Sequence, residues 1–156
     1  MSEKKNISKK ELRRRKRKRA LTTARYHELG DSIKASEKRL AEIAVLKAHI
    51  INYAKTRSAY DAYRKTGYSK RFLETHRTEI TLHKAAKAAF DEANLKTLPK
   101  VKELDAEYSK LLTEKKAVYL DYRKAKEEMQ ELLRAKKNVE LFFAEEKSGA
   151  EKMKSR

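Results

Sequence analysis

The most constraining feature of this sequence is a regular spacing of apolar residues between Val101 and Phe143. Positions alternately three and four residues apart are apolar in eleven of thirteen cases. A repeat of this kind, kept over about six heptads, is typical of a helix that packs along a coiled-coil seam. The thirteen seam positions are Val101, Leu104, Tyr108, Leu111, Lys115, Val118, Tyr122, Ala125, Met129, Leu132, Lys136, Val139 and Phe143.

The composition also favours long helices over sheets. The 156 residues include only three Gly and one Pro, and 41% of them are charged. So few turn-forming residues argue against a many-stranded sheet. Gly67 can end one helix and Ser69 can cap the next, and Pro99 suits the first turn of another. We therefore predict three helices, at about 9–65, 70–94 and 98–147.

These helices predict an all-α fold, an elongated three-helix antiparallel coiled coil with a basic N-terminal arm. Their lengths of about 85, 37 and 75 Å would let all three overlap over only about 37 Å. We expect a basic arm at residues 1–20 that is partly disordered, or helical when bound. A helical domain at 21–147 and a frayed tail at 148–156 would follow.

The unequal lengths leave the last third of the third predicted helix projecting without a neighbour. An apolar surface of that length in water indicates a contact surface for another protein or for a second copy. The predicted partner-binding residues are Met129, Leu132, Val139, Phe142 and Phe143.

The basic arm is the clearest candidate for a binding function. Residues 1–25 carry 12 basic and 2 acidic side chains, and the residues from Arg13 to Arg19 are seven consecutive cations. Such a run repels itself until a polyanion neutralises it, which predicts contacts with nucleic-acid phosphates and no sequence preference. A solvated tail that aids solubility is the alternative. The predicted nucleic-acid-binding residues of the arm are Lys9, Lys10, Arg13, Arg14, Arg15, Lys16, Arg17, Lys18 and Arg19.

A second basic cluster surrounds Gly67 and is interleaved with aromatic residues. Rings among cations can stack on unpaired bases while the cations follow the backbone. The simpler interpretation, which we favour, is that the rings pack the end of a helical hairpin and the charges face water. The predicted binding residues are Arg64, Lys65, Lys70 and Arg71, and the neighbouring rings are Tyr60, Tyr63, Tyr68 and Phe72.

The residues point away from catalysis. There is no Cys, which excludes disulfides and thiolate chemistry. His76 and His83, seven apart with Glu79 between them, are a weak metal pattern without a second cluster. No Gly-rich phosphate loop or nucleophile motif occurs. We predict no enzymatic activity, no cofactor and no metal.

The sequence also argues against insertion into a membrane. No apolar run approaches the roughly 18 residues that a bilayer span needs, and the basic start is not followed by the apolar segment of a secretory signal. Binding of the arm to an anionic membrane surface is compatible with its charge but lacks an apolar face that enters lipid. We expect a cytoplasmic location.

Three stretches resemble a known family. They are INYAKTRSAYDAYRKTGYSKRFLETH at Ile51–His76, HKAAKAAFDEANLKTLPKVKELDAEY at His83–Tyr108 and EKKAVYLDYRKAKEEMQELLRAKKNVE at Glu114–Glu140. They are similar to the C-terminal helical region of bacterial relaxase/mobilisation nuclease proteins of plasmids and integrative conjugative elements. The resemblance covers roughly Leu21 to Phe143, and the turn around Gly67 is its most specific part.

This resemblance implies a role without catalysis. Relaxases of that family nick DNA with a Tyr and a histidine-rich metal site in an N-terminal nuclease domain, and nothing in this sequence matches that domain. None of the eight tyrosines is therefore expected to be a nucleophile. The implied function is a non-catalytic accessory or remnant of a relaxase. It would bind DNA through the arm, and a relaxase, another transfer protein or a second copy through the coiled coil. The alternative is a structural module of the conjugative transfer apparatus with no DNA binding of its own.

Overall fold

The computed structural model describes residues 7–154, with side chains up to residue 149. This part of the chain contains four helices and no strand, which confirms the predicted all-α class. The helices are α1 (Lys9–Lys65), α2 (Lys70–Thr75), α3 (Arg77–Glu92) and α4 (Val101–Lys154). The chain divides into two compact units. Residues 1–34 and 115–156 form the terminal unit, and residues 35–114 form the central unit.

Two helix boundaries differ from the prediction. The predicted second helix is interrupted at His76, which ends α2 and begins α3 with φ −120° and ψ 29°. The His76 ring stacks on Phe72 at 4.2 Å, and its Nδ1 donates a hydrogen bond to the Phe72 carbonyl at 3.3 Å. This side chain thus engages a carbonyl that its own backbone N–H also contacts. The second difference is α4, which continues beyond the predicted end at 147.

The predicted domain boundaries are crossed by helices. Helix α1 runs without a break past residues 20 and 21. Residues 1–6 of the predicted arm and residues 155 and 156 of the predicted tail lie outside the described residues. The fraying of residues 148–156 stays a prediction.

The turn between α1 and α2 has the predicted helix stop and cap. Gly67 has a φ of +69° and Tyr68 a φ of +62°. The Gly67 N–H donates to the Arg64 carbonyl at 3.0 Å and the Tyr68 N–H to the Tyr63 carbonyl at 3.1 Å. This pair of hydrogen bonds is the Schellman motif that satisfies the last carbonyls of a helix. Ser69 caps α2, because its hydroxyl accepts from the Phe72 N–H at 3.4 Å.

The hydrophobic core lies in the central unit, where α1, α3 and α4 pack together. Ile43 of α1 and Ile80 of α3 are each 1% exposed. Ala86 of α3 is completely buried, and a side chain this small lets helices approach closely. The other buried apolar residues of this unit are Leu40, Tyr63, Phe90 and Leu104.

His83 is the one buried titratable side chain of the central core among the described residues. Its ring lies between Tyr53 and Tyr60, at centroid distances of 4.5 and 4.3 Å and nearly parallel to both. The Thr56 hydroxyl donates its proton to the Asn52 carbonyl at 2.6 Å. It therefore accepts from His83 Nδ1 at 3.0 Å, which assigns the proton of the neutral imidazole to Nδ1.

Burial sets the charge state of this imidazole. The loss of water around the ring lowers the pKa of His83 from its ordinary 6.5. The nearby charge of Asp61 opposes this pKa shift, whereas Lys87 and Arg57 add to it. The folded protein therefore favours a neutral His83.

The terminal unit is a pair of antiparallel helices, the start of α1 against the end of α4. Tyr26 stacks on Tyr122 with ring centroids 4.9 Å apart, and their hydroxyls are 3.0 Å apart. Thr22 and Ala125 are its buried residues in the described part of the chain. The α1 residues spaced three and four apart that are buried or half-buried in this unit are Arg15, Arg19, Thr22, Tyr26, Leu29 and Ile33.

The predicted repeat in α4 agrees with burial. Ten of its thirteen positions are buried or half-buried, and the three exposed ones are Tyr108, Lys136 and Phe143. The seam residues of α4 thus face inward in both units.

We predict that the central unit loses stability as the pH falls below about 6.5. In that range the unfolded chain gains a proton on His83 while the folded ring, with its lowered pKa, resists protonation. Above pH 6.5 both states are neutral and the stability contributed by this group is fully present. Urea unfolding between pH 7.5 and 5.5 should show a falling midpoint. His83→Phe, which keeps the stacked ring, should show a weaker dependence, and equal slopes would contradict the assignment.

Two glycines should respond oppositely to alanine. Gly30 lies within α1, and an added Cβ would meet Tyr122 Cε2 at 3.4 Å, an ordinary contact. Gly30→Ala should therefore stabilise the protein by up to about 1 kcal/mol through helix propensity. Gly67→Ala should destabilise it by about 1 kcal/mol or more, because Gly67 has a positive φ. Chemical denaturation measures both changes, and the same sign for both would refute the comparison.

Candidate nucleic-acid interface

The basic arm is helical from Lys9 onward. Ser8 precedes the helix, and its hydroxyl accepts from the Glu11 N–H at 3.2 Å, as an N-cap does. Glu11 in the first turn accepts from Arg14 at 2.8 Å and from Arg15 at 3.3 Å. The hydrogen bond from Arg14 is the main reason that the pKa of Glu11 is lowered. One acidic residue therefore offsets part of the self-repulsion at the start of the run.

The helix sorts the seven consecutive cations into two groups. Arg15 and Arg19 are half-buried at seam positions and face α4. The other five are exposed at positions that the seam does not use, and they are Arg13, Arg14, Lys16, Arg17 and Lys18. Lys9 and Lys10 are exposed as well. A bound polyanion can reach these seven exposed cations without parting the two helices.

Three of the exposed cations share one side of α1. Arg13, Lys16 and Arg17 are three and four residues apart, a spacing that brings side chains together on a helix. With Ala20 they border a shallow depression with a volume of about 370 Å³. No ion pair involves Arg13, Lys16, Arg17 or Lys18 among the described residues.

The half-buried arginines border an apolar groove between the two helices of the terminal unit. This groove has a volume of about 420 Å³, with Leu12 on α1 and Leu132, Val139 and Phe143 on α4. The aliphatic stem of an Arg can cover such a surface while its guanidinium reaches water. Lys136 of α4 lines the same groove. Sequence reasoning did not assign Lys136 to the interface, although its place in an otherwise apolar seam is a signal of it.

This groove corrects the expectation of a projecting, unpaired end of α4. Leu132, Val139 and Phe143 share the groove with residues of the arm, because the arm is helical and supplies a partner helix. Met129, Leu132 and Val139 are half-buried. Phe142 and Phe143 are 46% and 48% exposed. Of the predicted partner-binding residues, the two phenylalanines thus present the most free apolar surface.

The positive charge is concentrated in the terminal unit. Its residues include 25 Lys or Arg and 12 Asp or Glu, a net charge of +13. The central unit has 16 and 11, a net charge of +5. Since the whole chain has +18, most of the excess lies in the smaller helix pair that carries the arm. A positive potential of this size attracts polyanions and repels a second copy of the same unit.

The second basic cluster lies in the central unit, at the turn between α1 and α2. Tyr63 is 6% exposed, Tyr60 stacks on His83 and Phe72 stacks on His76, so these three rings pack the helix ends. Tyr68 is 57% exposed. The cations of the cluster, Arg64, Lys65, Lys70 and Arg71, are all exposed. The favoured packing interpretation therefore fits three of the four rings and does not fit Tyr68.

A second groove in the central unit was not foreseen from the sequence. It has a volume of about 760 Å³ and lies where Val45 and Leu46 of α1 face Ala89 and Leu104. Arg39 donates to Glu107 at 2.8 and 3.1 Å at its edge. This hydrogen bond lowers the pKa of Glu107 and raises that of Arg39. The Ala-rich face of α3 is the sequence signal for such a gap.

Metal and membrane features were examined over the same part of the chain. Within the described residues, no group of three or more His, Asp or Glu side chains is placed to hold a metal ion. None of the described helices combines the length and the apolarity that crossing a bilayer requires.

Comparisons with protein-family models, with curated proteins and with solved structures found no match. The function is therefore inferred from the residues of the chain itself.

Proposed function

We propose that this protein binds nucleic acid non-specifically through the exposed cations of the arm, as a non-catalytic accessory or remnant of a DNA mobilisation relaxase. The observation that carries the binding proposal is the row of five exposed cations between Arg13 and Lys18, held on a continuous helix in a unit of net charge +13. The link to mobilisation is supported by the resemblance of Ile51–His76, His83–Tyr108 and Glu114–Glu140 to relaxase C-terminal regions.

The proposed mechanism is electrostatic. Lysine and arginine side chains that contact phosphates release condensed counterions, and this release drives binding without reading the bases. A helix displays the cations at fixed spacing, so less conformational freedom is lost on binding than from a disordered tail. Arg15 and Arg19 stay on the groove and are not needed for this contact.

The finer architecture and the location belong to the same proposal. The packing of α1, α3 and α4 in the central unit supports a three-helix antiparallel coiled coil there. The absence of Cys is compatible with the reducing cytoplasm of a bacterium, which we propose as the location. No cofactor enters this mechanism.

We predict a steep salt dependence of binding to duplex DNA. If the five exposed cations from Arg13 to Lys18 contact phosphates, the plot of log K against log salt has a slope of about −4.5. Fluorescence anisotropy with duplex DNA at about 50 to 200 mM salt measures it. The triple substitution of Arg13, Lys16 and Arg17 by Gln should reduce the steepness by about 2.7.

A matched control removes the same charge elsewhere in the terminal unit. Substituting Arg123, Lys124 and Lys126 of α4 by Gln should weaken binding much less, since these exposed residues lie outside the arm. Equal effects of the two triple variants would reduce the interface to net charge alone. Binding that does not respond to salt would contradict the electrostatic mechanism.

The second candidate function is a protein-interaction module of the transfer apparatus with no DNA binding of its own. The exposed apolar residues near the end of the described side chains favour it, since Leu141, Phe142 and Phe143 are each about half exposed.

This candidate predicts association through the phenylalanines. Sedimentation should show concentration-dependent self-association, or a complex with a transfer protein, that Phe142→Lys abolishes. Leu120→Lys is the control, because Leu120 is 59% exposed on the same helix and lies away from this cluster. Loss of association in both variants would indicate a non-specific effect of added charge.

A further inference from the structure

We propose that the turn between α1 and α2 binds an unpaired base of single-stranded nucleic acid, with the Tyr68 ring as the stacking surface. This inference rests on the proposed function, because it adds a strand preference to a nucleic-acid-binding protein. It concerns a different unit of the chain from the arm, so the two can be tested separately.

The exposure of Tyr68 is the first observation. Tyr68 is 57% exposed, whereas its neighbour Tyr63 is 6% exposed. Tyr68 meets Tyr63 edge to face, with centroids 5.3 Å apart and planes at 84°. In the part of the chain that the structure describes, no ring lies parallel to that of Tyr68. A face of its ring is therefore available to a planar ligand.

The backbone of Tyr68 is the second observation. Its φ of +62° lies in the left-handed region that residues with a Cβ seldom adopt. Gly67, with a φ of +69°, already reverses the chain direction after α1. A second glycine or an asparagine would fit position 68 with less strain. The side chain of Tyr68 is therefore retained against a local conformational preference.

The turn also holds Tyr68 in place. Its N–H donates to the Tyr63 carbonyl at 3.1 Å, and Ser69 directly after it caps α2. Both sides of the residue are thus fixed by hydrogen bonds. A ring that is already positioned loses little freedom when a ligand stacks on it.

The charges around the turn identify the ligand. Arg64 and Lys65 end α1, and Lys70 and Arg71 begin α2, so four cations lie within four residues of Tyr68. All four are exposed, and none forms an ion pair among the described residues. Cations on both sides disfavour a cationic ligand, although an open aromatic face would otherwise suit one. They favour an aromatic ring that carries its own anionic backbone.

A base in single-stranded nucleic acid has these properties. Aromatic platforms flanked by cations bind single strands in this way, with the base on the ring and the phosphates beside the cations. The base pairs of a duplex cover their faces with their neighbours, so an intact duplex offers Tyr68 no face within its length. The site therefore predicts a preference for unpaired strands.

The experiment compares single-stranded and duplex oligonucleotides by fluorescence anisotropy, using the full chain. The three arm cations Arg13, Lys16 and Arg17 are replaced by Gln in the background, so that the arm does not hide the turn. Tyr68→Leu should lower single-strand affinity about five-fold or more and leave duplex affinity unchanged. Tyr68→Phe should retain the affinity. Tyr119→Leu, which removes a tyrosine 48% exposed in the terminal unit, is the matched control and should change neither.

A second variant and a covalent probe guard against a folding artefact. Substituting Lys70 and Arg71 by Gln leaves the ring in place and should also weaken single-strand binding. A single strand with one 5-iodouracil should crosslink to Tyr68 on irradiation, as mapped by mass spectrometry. Circular dichroism should show the same helix content for the Leu and Phe variants.

The outcomes separate this inference from the proposed function. Unchanged single-strand affinity in Tyr68→Leu, together with a salt-dependent duplex affinity that depends on the arm, would overturn the inference and leave the proposed function standing. Equal losses for single strand and duplex would also overturn it. Absence of nucleic-acid binding in the unmodified protein would overturn both.

Discussion

The pairing of α1 with α4 is the interaction on which the rest of the structure depends. In the terminal unit these helices meet through Tyr26 and Tyr122, and in the central unit through Arg39 with Glu107. The ion pair is partly exposed and contributes at most about 1 kcal/mol, so it sets register more than stability. The main stabilisation comes from burial of residues such as Ile43 and Ile80.

The two units are stabilised to different degrees by this pairing. The central unit adds α3 to the pair and thereby encloses large side chains. In the terminal unit, the buried residues among those described are Thr22 and Ala125, which are both small. Local opening is easiest where few apolar contacts are buried, so the terminal unit is the place where the helices separate most readily. Its repelling cations add to this tendency, and a bound polyanion would reduce it.

Much of the fold was predictable because it follows from spacing and turn chemistry. The repeat in α4 placed its buried residues, and Gly67 with Ser69 marked the turn. The pairing of the arm with the end of α4 was missed. Arg15 and Arg19 occupy seam positions, so the apolar repeat in α1 is invisible before Thr22. Self-repulsion considered along one segment gave no account of a neighbouring helix that covers half of each arginine. The interruption at His76 depends on a stacking contact with Phe72 that helical spacing does not reveal.

At the second basic cluster, the sequence alone could not tell which ring packs and which is free. Tyr63 precedes the glycine and is still within α1, where its position points to the core. Tyr68 follows the glycine, and its direction is set by two positive φ values that no periodicity encodes.

The enclosure of His83 between two tyrosines has a spectroscopic consequence. Aromatic ring currents from Tyr53 and Tyr60 act on both faces of the imidazole, so its carbon-bound protons should resonate well upfield of those of His27 and His49. The chain has no tryptophan, and its tyrosines are spread over both units, so optical signals mix the two. The imidazole resonances of His83 would report on the central unit alone and would distinguish separate melting of the units from a single cooperative transition.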